Sequence, residues 1–432
     1  MKRIAGKTMP TYQLVALITA VSLATVHATA QNAVTDWNAI AITQARASTV
    51  APGSTGPGST GVYVAYVELA VYNALVAIQG KYEPYKYTLT APRGASSDAA
   101  AIEAAYQVLL VLLPDRTDPL TTAYNASMAA IAEGQAKEDG KSVGGASAAN
   151  LMSLRSGDGL GVPWPYSYPS TPEPGVWILT PGATAPATPW LGQMRPFTFD
   201  DPARYLPDEP PSPLNSWTWV HDYNETKVLG SATSTVRTPS QTEIGLFWTD
   251  HTTAQYGSML RLLAMQENLS LLETSRLMAM AYASMADGVI GCFNAKYHFS
   301  FWRPVTAIRN GDIDGNPNTI ADPSWTPLGV TPAHPEYPAA HACITGALAD
   351  ALQAYFGTPR ISLSVSSAVT GTTHHFTNVL DLEKEVEGAR IYAGFHYHHS
   401  LDQGFLLGHR VAHHVAKEYF APDRKICDRD RR

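Results

Sequence analysis

The chain has 432 residues, of which 45% are hydrophobic and 16% are charged, so it can bury one large core or two smaller ones. This composition excludes a disordered or fibrous chain. The formal charge of −7 at pH 7 disfavours nucleic acid as a partner, because phosphate backbones attract basic surfaces.

The first thirty residues have the layout of a secretory signal. Lys2, Arg3 and Lys7 precede an apolar run at 14–26, and small residues follow at 28–30. An apolar run of about thirteen residues is short for a bilayer span, which favours cleavage before Gln31 over a membrane anchor. Removing the three positive charges takes the formal charge from −7 to −10. We therefore predict a secreted or periplasmic protein with signal peptide 1–30 and no later membrane span.

Three cysteines are few for an exported chain. They are Cys292, Cys343 and Cys427. Because three is odd, at most one intramolecular disulfide can form, and the spacing does not select it.

Hydrophobic periodicity predicts a mostly helical chain. The predicted helices cover residues 62–79, 98–113, 119–136, 254–266, 271–293, 339–356, 383–395 and 403–416. Ser270, followed three residues later by Glu273, forms a capping box at the start of the helix at 271. Residues 361–369 are a modest strand candidate. The pattern predicts an all-α fold of one helical bundle or two packed bundles.

A proline-rich segment interrupts these helices. Between residues 163 and 213, fourteen of fifty-one residues are proline, and Trp164, Trp177 and Trp190 lie among them. Large aromatic side chains gain free energy from burial, so a flexible linker would rarely hold three of them. We predict a long ordered loop that wraps over the helices, in an insert at 155–245 of a single helical domain at 31–432.

Five residues in three short segments have the chemistry of an oxyanion site. They are Lys296, Arg303, His341, Arg390 and His396. Lysine and arginine hold phosphate-like groups by charge-assisted hydrogen bonds, and two histidines remain for chemistry. Lys296 and Arg303 are seven residues apart, about two helical turns, so both can project from one helix face. The set predicts binding of phosphate or an analogue such as vanadate.

Two of these segments have a predictable local geometry. Pro304 disfavours helical geometry at Arg303, which therefore lies at a helix end or in the following turn. The apolar helix that follows Pro338 has Ala339, Ala340 and His341 in its first turn. Free backbone N–H groups there would face an anion.

Arg390 and His396 need a break in the helix to meet. They are six residues apart, which places them about 120° from each other on an ideal helix. They can converge only if His396 lies where the helix frays.

The three segments resemble the motifs of the vanadium-dependent haloperoxidases and the type 2 phosphatidic acid phosphatases. The family pattern reads lysine, six residues, arginine-proline; proline-serine-glycine-histidine; arginine, five residues, histidine. Its positions are here Lys296, Arg303 and Pro304, then Pro338, Ala339, Ala340 and His341, then Arg390 and His396. Segments 65–74 and 174–177 look like bacterial haloperoxidase-type proteins. Three blocks in order, with matching spacing, make a specific signal. The resemblance implies helical bundles of the haloperoxidase and acid phosphatase type.

The resemblance also implies a role for each residue. His396 would bind the vanadium of vanadate or, in a phosphatase, attack phosphorus to form a phosphohistidine. His341 would be the acid–base group. Lys296, Arg303 and Arg390 would neutralise the oxyanion, and Lys296 would also polarise the peroxide. Hydrogen peroxide and halide would then give hypohalous acid, which acts on a small organic substrate.

Three positions depart from the family pattern. Ala339 replaces a serine whose hydroxyl bonds the oxyanion, a loss of about 1 kcal/mol. Ala340 replaces a glycine but keeps the backbone amide, and both alanines stay in the predicted cofactor-binding set. Ser400 stands where family phosphatases often carry an aspartate that orients the last histidine, and Asp402 comes two residues later.

One further position concerns the halide. His334 lies seven residues before His341, where family members carry phenylalanine or histidine, with histidine typical of bromide-oxidising forms. It favours bromide or iodide, although it fits a solvent-exposed loop histidine equally well.

These motifs together predict a vanadate-dependent haloperoxidase. Two alternatives remain: a phosphatase that forms a phosphohistidine, and a non-catalytic oxyanion-binding protein. The expected ligand is vanadate, or phosphate in the same site, and the resemblance implies a homodimer.

Overall fold

The computed structural model describes residues 32–423. Within that range the chain forms thirteen α-helices and one β-hairpin, so the all-α prediction is confirmed. The helices are α1 (Ala33–Ala47), α2 (Ser59–Gln79), α3 (Ser97–Leu112), α4 (Thr117–Ala129), α5 (Gln135–Leu154), α6 (Trp217–Leu229), α7 (Pro239–Phe247), α8 (Thr252–Gln266), α9 (Leu271–Phe299), α10 (Pro304–Arg309), α11 (Ala340–Phe356), α12 (Val379–Tyr392) and α13 (His398–Glu418). The strands β1 (Leu363–Ser366) and β2 (Thr373–Phe376) pair antiparallel.

Helices α2 and α9 lie at the centre of the molecule. Helix α2 packs against α1, α3 and α5 on one side and against α9 on the other, while α9 also packs against α11 and α13. One continuous hydrophobic core runs through both groups of helices. The last turns of α9 therefore reach the middle of the second group, where the predicted site lies.

Most of the predicted helices are present, with shifted ends. The capping box at Ser270 and Glu273 is confirmed, since each side chain accepts a hydrogen bond from the other residue's backbone N–H. The helix predicted at 119–136 ends at Ala129, and the separate helix α5 follows it. Helices α1, α5, α6, α7 and α10 and strand β2 were not predicted. Strand β2 carries two histidines and a threonine, so no apolar alternation marks it.

Helix α5 forms although its glycines disfavour a helix. A Cβ added at Gly140 or Gly144 would lie 2.4 Å from the carbonyl oxygen of Ser96 or Ala100, respectively. Both carbonyls belong to the start of α3. The two glycines therefore allow α5 to approach the backbone of α3 closely, and this packing compensates the low helix propensity.

Helix α2 has the length and apolar composition of a membrane span, contrary to the expectation that no segment after the signal would have them. It is long and apolar enough, with a mean hydropathy of 1.6, but 89% of that window is buried inside the protein. The pair Ser97–Leu112 and Pro114–Ala129 passes the same test only if it counts as one span bent by 120°. An apolar helix enclosed by other helices fits a position in the core.

The proline-rich insert is ordered and lies against α9. Trp177 and Trp190 are buried, and a Cβ added at Gly192 would lie 2.6 Å from the backbone nitrogen of Asn294. The predicted range 155–245 is irregular only as far as Ser216, because α6 and most of α7 fall within its second half. The irregular part brings residues 187 and 188 to the wall of the site.

A buried carboxylate in α9 holds this insert in place. Asp287 accepts hydrogen bonds from the backbone nitrogens of Phe197 and Thr198, at 2.6 and 2.9 Å, and from the Thr198 hydroxyl at 2.5 Å. Burial raises the pKa of Asp287, and these hydrogen bonds lower it. The contact thus ties the insert to the helix that carries Lys296.

We expect Asp287→Ala to lower the free energy of unfolding by about 3–5 kcal/mol. It leaves three buried donors without an acceptor, and each such loss is worth about 1–3 kcal/mol. Denaturant unfolding followed by circular dichroism measures the change. The exposed Asp312 provides the control, since Asp312→Ala should change stability by less than about 0.5 kcal/mol. Equal effects of the two substitutions would contradict the prediction.

Candidate oxyanion site

The three motif segments meet at one cavity of about 280 Å³ between α9, α11 and α12. The residues of the predicted set that line it are His334, Ala340, His341, Arg390 and His396. Arg303 stands directly behind this lining, and Lys296 braces the loop that leads into α11. Ala339 is fully buried next to Ala340. The structure therefore gathers the predicted residues in one place, although not all of them face the cavity.

The two cations of the first motif do not share a helix face, contrary to the prediction from their spacing. Helix α9 ends at Phe299, and Ser300 follows with a left-handed φ of 50°. Lys296 lies in the last turn of α9, whereas Arg303 is the N-cap residue of α10. Arg303 therefore lies past the helix end, as Pro304 predicts.

Lys296 is fully engaged with backbone carbonyls. Its ammonium donates to the carbonyl oxygens of Pro335, Glu336 and Pro338, at 3.0, 2.8 and 2.5 Å. These bonds use all three of its donors. The lysine thus fixes the loop before α11, and in this arrangement it acts on the cavity through its charge.

Arg303 contacts two histidine rings. Its Nη2 lies 2.9 Å from Nδ1 of His334, and its Nη1 lies 3.1 Å from Nε2 of His396. Arginine only donates, so Nε2 of His396 must be an unprotonated acceptor, whereas Nδ1 of His334 also lies 3.1 Å from the carbonyl oxygen of Pro335. Burial, followed by the charge of Arg303, also holds the pKa of both histidines well below the ordinary value. His334 is buried beside the cavity, so its interpretation as a solvent-exposed loop residue is wrong.

His396 lies in the loop between α12 and α13, where helix periodicity no longer applies. Helix α12 ends at Tyr392, and Gly394 turns the chain with a φ of 76°. The Nδ1 of His396 lies 2.8 Å from Oε1 of Glu336, which is fully buried. Since Nε2 is the acceptor for Arg303, Nδ1 carries the proton and donates it to Glu336. Glu336 was not predicted as a site residue, although a carboxylate between Pro335 and Pro338, directly before the anion-binding turn, could have indicated it.

The start of α11 faces the cavity without a side-chain cap. Ala339 is the N-cap residue and makes no side-chain hydrogen bond, while its backbone nitrogen donates to the carbonyl of Ser400 at 2.9 Å. The first-turn N–H groups after it, from Ala340 onward, have no acceptor within the helix. They carry the partial positive charge of a helix N-terminus to the cavity wall.

His341, in the first turn of α11, also lines the cavity. Its Nε2 lies 3.0 Å from Oγ1 of Thr252, a residue that the sequence analysis missed because it comes from α8, far away in the chain. Burial, followed by Arg390, holds the pKa of His341 well below the ordinary value. The ring is therefore neutral and can accept a proton.

The site carries more positive than negative charge. Lys296, Arg303 and Arg390 are buried, and this burial is the main reason that their pKa values are lowered, to about 8, 10 and 9. The charge of the Glu336 carboxylate raises the pKa of Lys296 and of Arg303 in turn. Burial raises the pKa of Glu336 itself to about 7. Because buried charges are costly without partners, this excess favours a bound anion.

The residues present fit a tetrahedral oxyanion such as vanadate. Arg390 donates from Nη1 to the carbonyl of Trp248 at 2.6 Å, but its buried Nε has no hydrogen-bond partner in the part of the chain that the structure describes. The Arg390 nitrogen and the backbone N–H groups at the N-terminus of α11 can donate hydrogen bonds to the oxyanion. The unprotonated Nε2 of His396 can bind its central atom. None of the described residues that line the cavity is acidic.

A larger cleft of about 520 Å³ lies on the outer face of α13, away from the motifs. Two of its basic residues already have acidic partners: His409 contacts Glu383 at 2.8 Å, and Arg410 contacts Asp208 at 2.5 Å. The cleft gathers no motif residue, so the smaller cavity remains the candidate site.

Two of the three cysteines are free thiols, and one of them contacts the loop before α11. Cys292 and Cys343 are buried, and Sγ of Cys292 lies 3.6 Å from the carbonyl oxygen of Pro338. Cys427 lies outside the described residues. The thiol of Cys292 therefore supports the same loop as Lys296.

Part of the chain matches a known family and a curated protein. Residues 276–422 match the family described as the VCPO second helical-bundle domain. A vanadium chloroperoxidase of Curvularia inaequalis is 30% identical over 149 residues, which cover 28% of this chain and 24% of that protein. The chain thus matches about a quarter of the length of this curated relative.

Solved structures resemble the chain over most of its length. The structure of a bacterial vanadium-dependent iodoperoxidase has a TM-score of 0.72 and 22% identity, and the match covers 90% of this chain and 97% of that one. A bacterial vanadium-dependent chloroperoxidase in its apo form has a TM-score of 0.68 and 16% identity, with 84% and 93% covered. The resemblance to the vanadium-dependent haloperoxidases is therefore confirmed: residues 276–422 match the model of the VCPO second helical-bundle domain, and 90% of the chain shares the fold of a bacterial vanadium-dependent iodoperoxidase.

Proposed function

We propose that this protein is a vanadate-dependent haloperoxidase that oxidises bromide or iodide with hydrogen peroxide. The observation that carries the proposal is the excess of buried positive charge around the unprotonated Nε2 of His396. The names of the structural relatives, an iodoperoxidase and a chloroperoxidase, support the reaction class.

The residues of this chain would bind and orient the cofactor. Nε2 of His396 would be the protein ligand of vanadium, and Arg303, Arg390 and the first-turn amides of α11 would neutralise the oxygens. Lys296 would add charge from behind the loop. Vanadate, when bound, supplies the Lewis acid that activates peroxide toward halide.

Two histidines would serve the reaction without holding the metal. His341 would accept and return a proton at the cavity wall, where Thr252 holds its Nε2. His334 lines the cavity, and its Nδ1 lies between Nη2 of Arg303, at 2.9 Å, and the carbonyl oxygen of Pro335, at 3.1 Å. A histidine at this position is, by the family resemblance, consistent with bromide or iodide as the halide, and a small organic substrate would then be halogenated.

A phosphatase that uses His396 as nucleophile is the second candidate. Ser400 in place of the expected aspartate counts against it in the sequence. Glu336 now provides a carboxylate on Nδ1 of His396, which is the contact that such a nucleophile needs.

One pair of assays separates the candidates. The purified protein is given orthovanadate, hydrogen peroxide and bromide or iodide, and halogenation of an added organic acceptor is followed. A second sample is given a phosphate monoester without vanadate. Halogenation that depends on vanadate supports the haloperoxidase, and hydrolysis alone supports the phosphatase. Vanadate binding with neither reaction would leave a non-catalytic oxyanion-binding protein.

Export and assembly are part of the proposal. The predicted signal peptide 1–30 lies outside the described residues, and a mature chain that begins at Gln31 would be secreted or periplasmic. Sequencing the N-terminus of the exported protein tests the cleavage, and sedimentation tests the expected homodimer.

We expect anion affinity to fall as the pH rises through about 8, because burial lowers the pKa of Lys296 to about 8. Below that pH Lys296 is a cation that favours the anion, and above it the charge is lost. The measurement is the dissociation constant of inorganic phosphate across this range, with Lys296→Met as the control. The advantage of the natural protein over this variant should shrink above pH 8, and an advantage that stays constant would contradict the prediction.

A further inference from the structure

Glu336 makes the contact that decides how the His396 ring is held. Its Oε1 accepts from Nδ1 of His396 at 2.8 Å and from the backbone nitrogen of Tyr397 at 3.1 Å. Both side chains are almost completely buried. The carboxylate therefore binds the ring and the backbone of the next residue together.

The loop itself cannot orient this ring. His396 lies between two helices, and the hydroxyl of Thr226 holds only its backbone carbonyl, at 3.1 Å. The ring contacts Arg303 through Nε2 and Glu336 through Nδ1. Arg303 can be displaced from Nε2 when a ligand takes this atom, whereas Glu336 keeps its contact on the other side.

The far side of Glu336 contains several unpaired polar atoms. Its Oε2, the Ser400 hydroxyl and the Tyr397 hydroxyl make no hydrogen bond of good geometry within residues 32–423. All three residues line a small cavity of about 10 Å³. Ser400 also lies close enough to lower the pKa of Glu336. A longer acidic side chain at position 400 would therefore enter the surroundings of the Glu336 carboxylate.

We propose that Glu336 is the positioning residue for His396, which keeps the proton on Nδ1 and aims Nε2 at the oxyanion cavity. The proposal rests on the proposed function for the identity of the anion. In addition, an aspartate at position 400 can bind Nδ1 of His396 in place of Glu336. Partners of this kind set the tautomer and basicity of a ligand histidine, and their loss typically weakens metal binding 10–100-fold.

The first test is made on the natural protein. Histidine is labelled with ¹⁵N, and spectra that separate protonated from unprotonated ring nitrogens are recorded, with His396 assigned by comparison with His396→Gln. We expect His396 to carry its proton on Nδ1, and a proton on Nε2 overturns the proposal.

The second test moves the carboxylate. Glu336→Leu should weaken binding of orthovanadate and of inorganic phosphate by about 10–100-fold, because the Nδ1–H of His396 loses its acceptor. Glu336→Gln keeps an acceptor of the same shape and should lose less than about tenfold. Glu336→Leu with Ser400→Asp should recover most of the loss. Glu225→Gln, which removes the carboxylate that contacts His398 at 3.2 Å, is the matched control and should bind as the natural protein does.

The outcomes separate this proposal from the proposed function. If Glu336→Leu folds and binds both anions like the natural protein, Glu336 does not position His396. Failure of the second substitution to restore binding contradicts the transfer to position 400. If anion binding follows these expectations while halide oxidation is absent, the positioning role stands and the proposed function fails. Should Glu336→Leu not fold, Glu336→Gln and the spectrum of the natural protein still decide, because both require the Nδ1–H form.

Discussion

We expect His396→Gln to abolish halide oxidation and to weaken vanadate binding by more than about 100-fold, since loss of even an outer-shell partner of a metal ligand typically costs 10–100-fold. The nitrogen that would bind vanadium is lost, and a glutamine amide is a poor substitute. Glutamine is preferred to alanine because it can still donate to Glu336, whereas alanine would leave a buried carboxylate without its partner. Most of the loss should therefore come from binding and not from unfolding.

Equilibrium dialysis of orthovanadate and the rate of bromide oxidation measure this effect. His398→Gln is the control, because His398 is only two residues away but contacts Glu225 and Glu387 outside the cavity. Hydrogen bonds to the two carboxylates raise the pKa of His398 to about 11, so this ring is held in its protonated form away from the cavity. If both substitutions left vanadate binding intact, the assignment of His396 as the ligand would be wrong.

The helical fold could be predicted from the sequence because its long helices carry clear apolar periodicity. The insert was predicted as ordered from its tryptophans, two of which are buried. Helices α5 and α7 and the real limit of the insert were not predictable in the same way. Helix α5 depends on glycines that pack on the backbone of α3, and this contact joins segments that only the tertiary fold brings together.

In the candidate site, too, the residues within one motif could be predicted, whereas contacts between distant segments could not. The spacing of the motifs identified Arg390, His341 and His396, which line one cavity. It gave the wrong geometry for Lys296 and Arg303, because α9 ends between them. Glu336 and Thr252 each meet a site histidine from another segment, and no spacing rule connects them.

The two alanines of the second motif have different consequences in the structure. Ala340 lines the cavity and keeps its amide, so the substitution of glycine there loses no donor. Ala339 has no hydroxyl to offer, and its own amide is already bound to the carbonyl of Ser400. The unpaired Nε of Arg390 and the N-terminus of α11 therefore have to provide more of the binding than in a family member with serine.

The histidine of the second motif should affect turnover and not binding. We expect His341→Ala to lower kcat of halide oxidation by about 10²–10⁴-fold, the usual contribution of a general acid–base group. The vanadate dissociation constant should change by less than about tenfold. This is less than the 10–100-fold loss of metal affinity that typically follows removal of a residue that hydrogen-bonds a metal ligand. The reason is geometric: Nε2 of His341 contacts Thr252, whereas the predicted ligand atom is on His396.

Steady-state kinetics at saturating vanadate, together with dialysis of the free cofactor, separate these two quantities. Thr252→Val provides the matched control, because it keeps the imidazole and removes only the hydroxyl at 3.0 Å from Nε2. That variant should lose less than about tenfold in kcat, as expected for one neutral hydrogen bond worth about 1 kcal/mol. If His341→Ala instead lost vanadate in proportion to its lost turnover, His341 would be part of the anion-binding set and the acid–base role would fall to another residue.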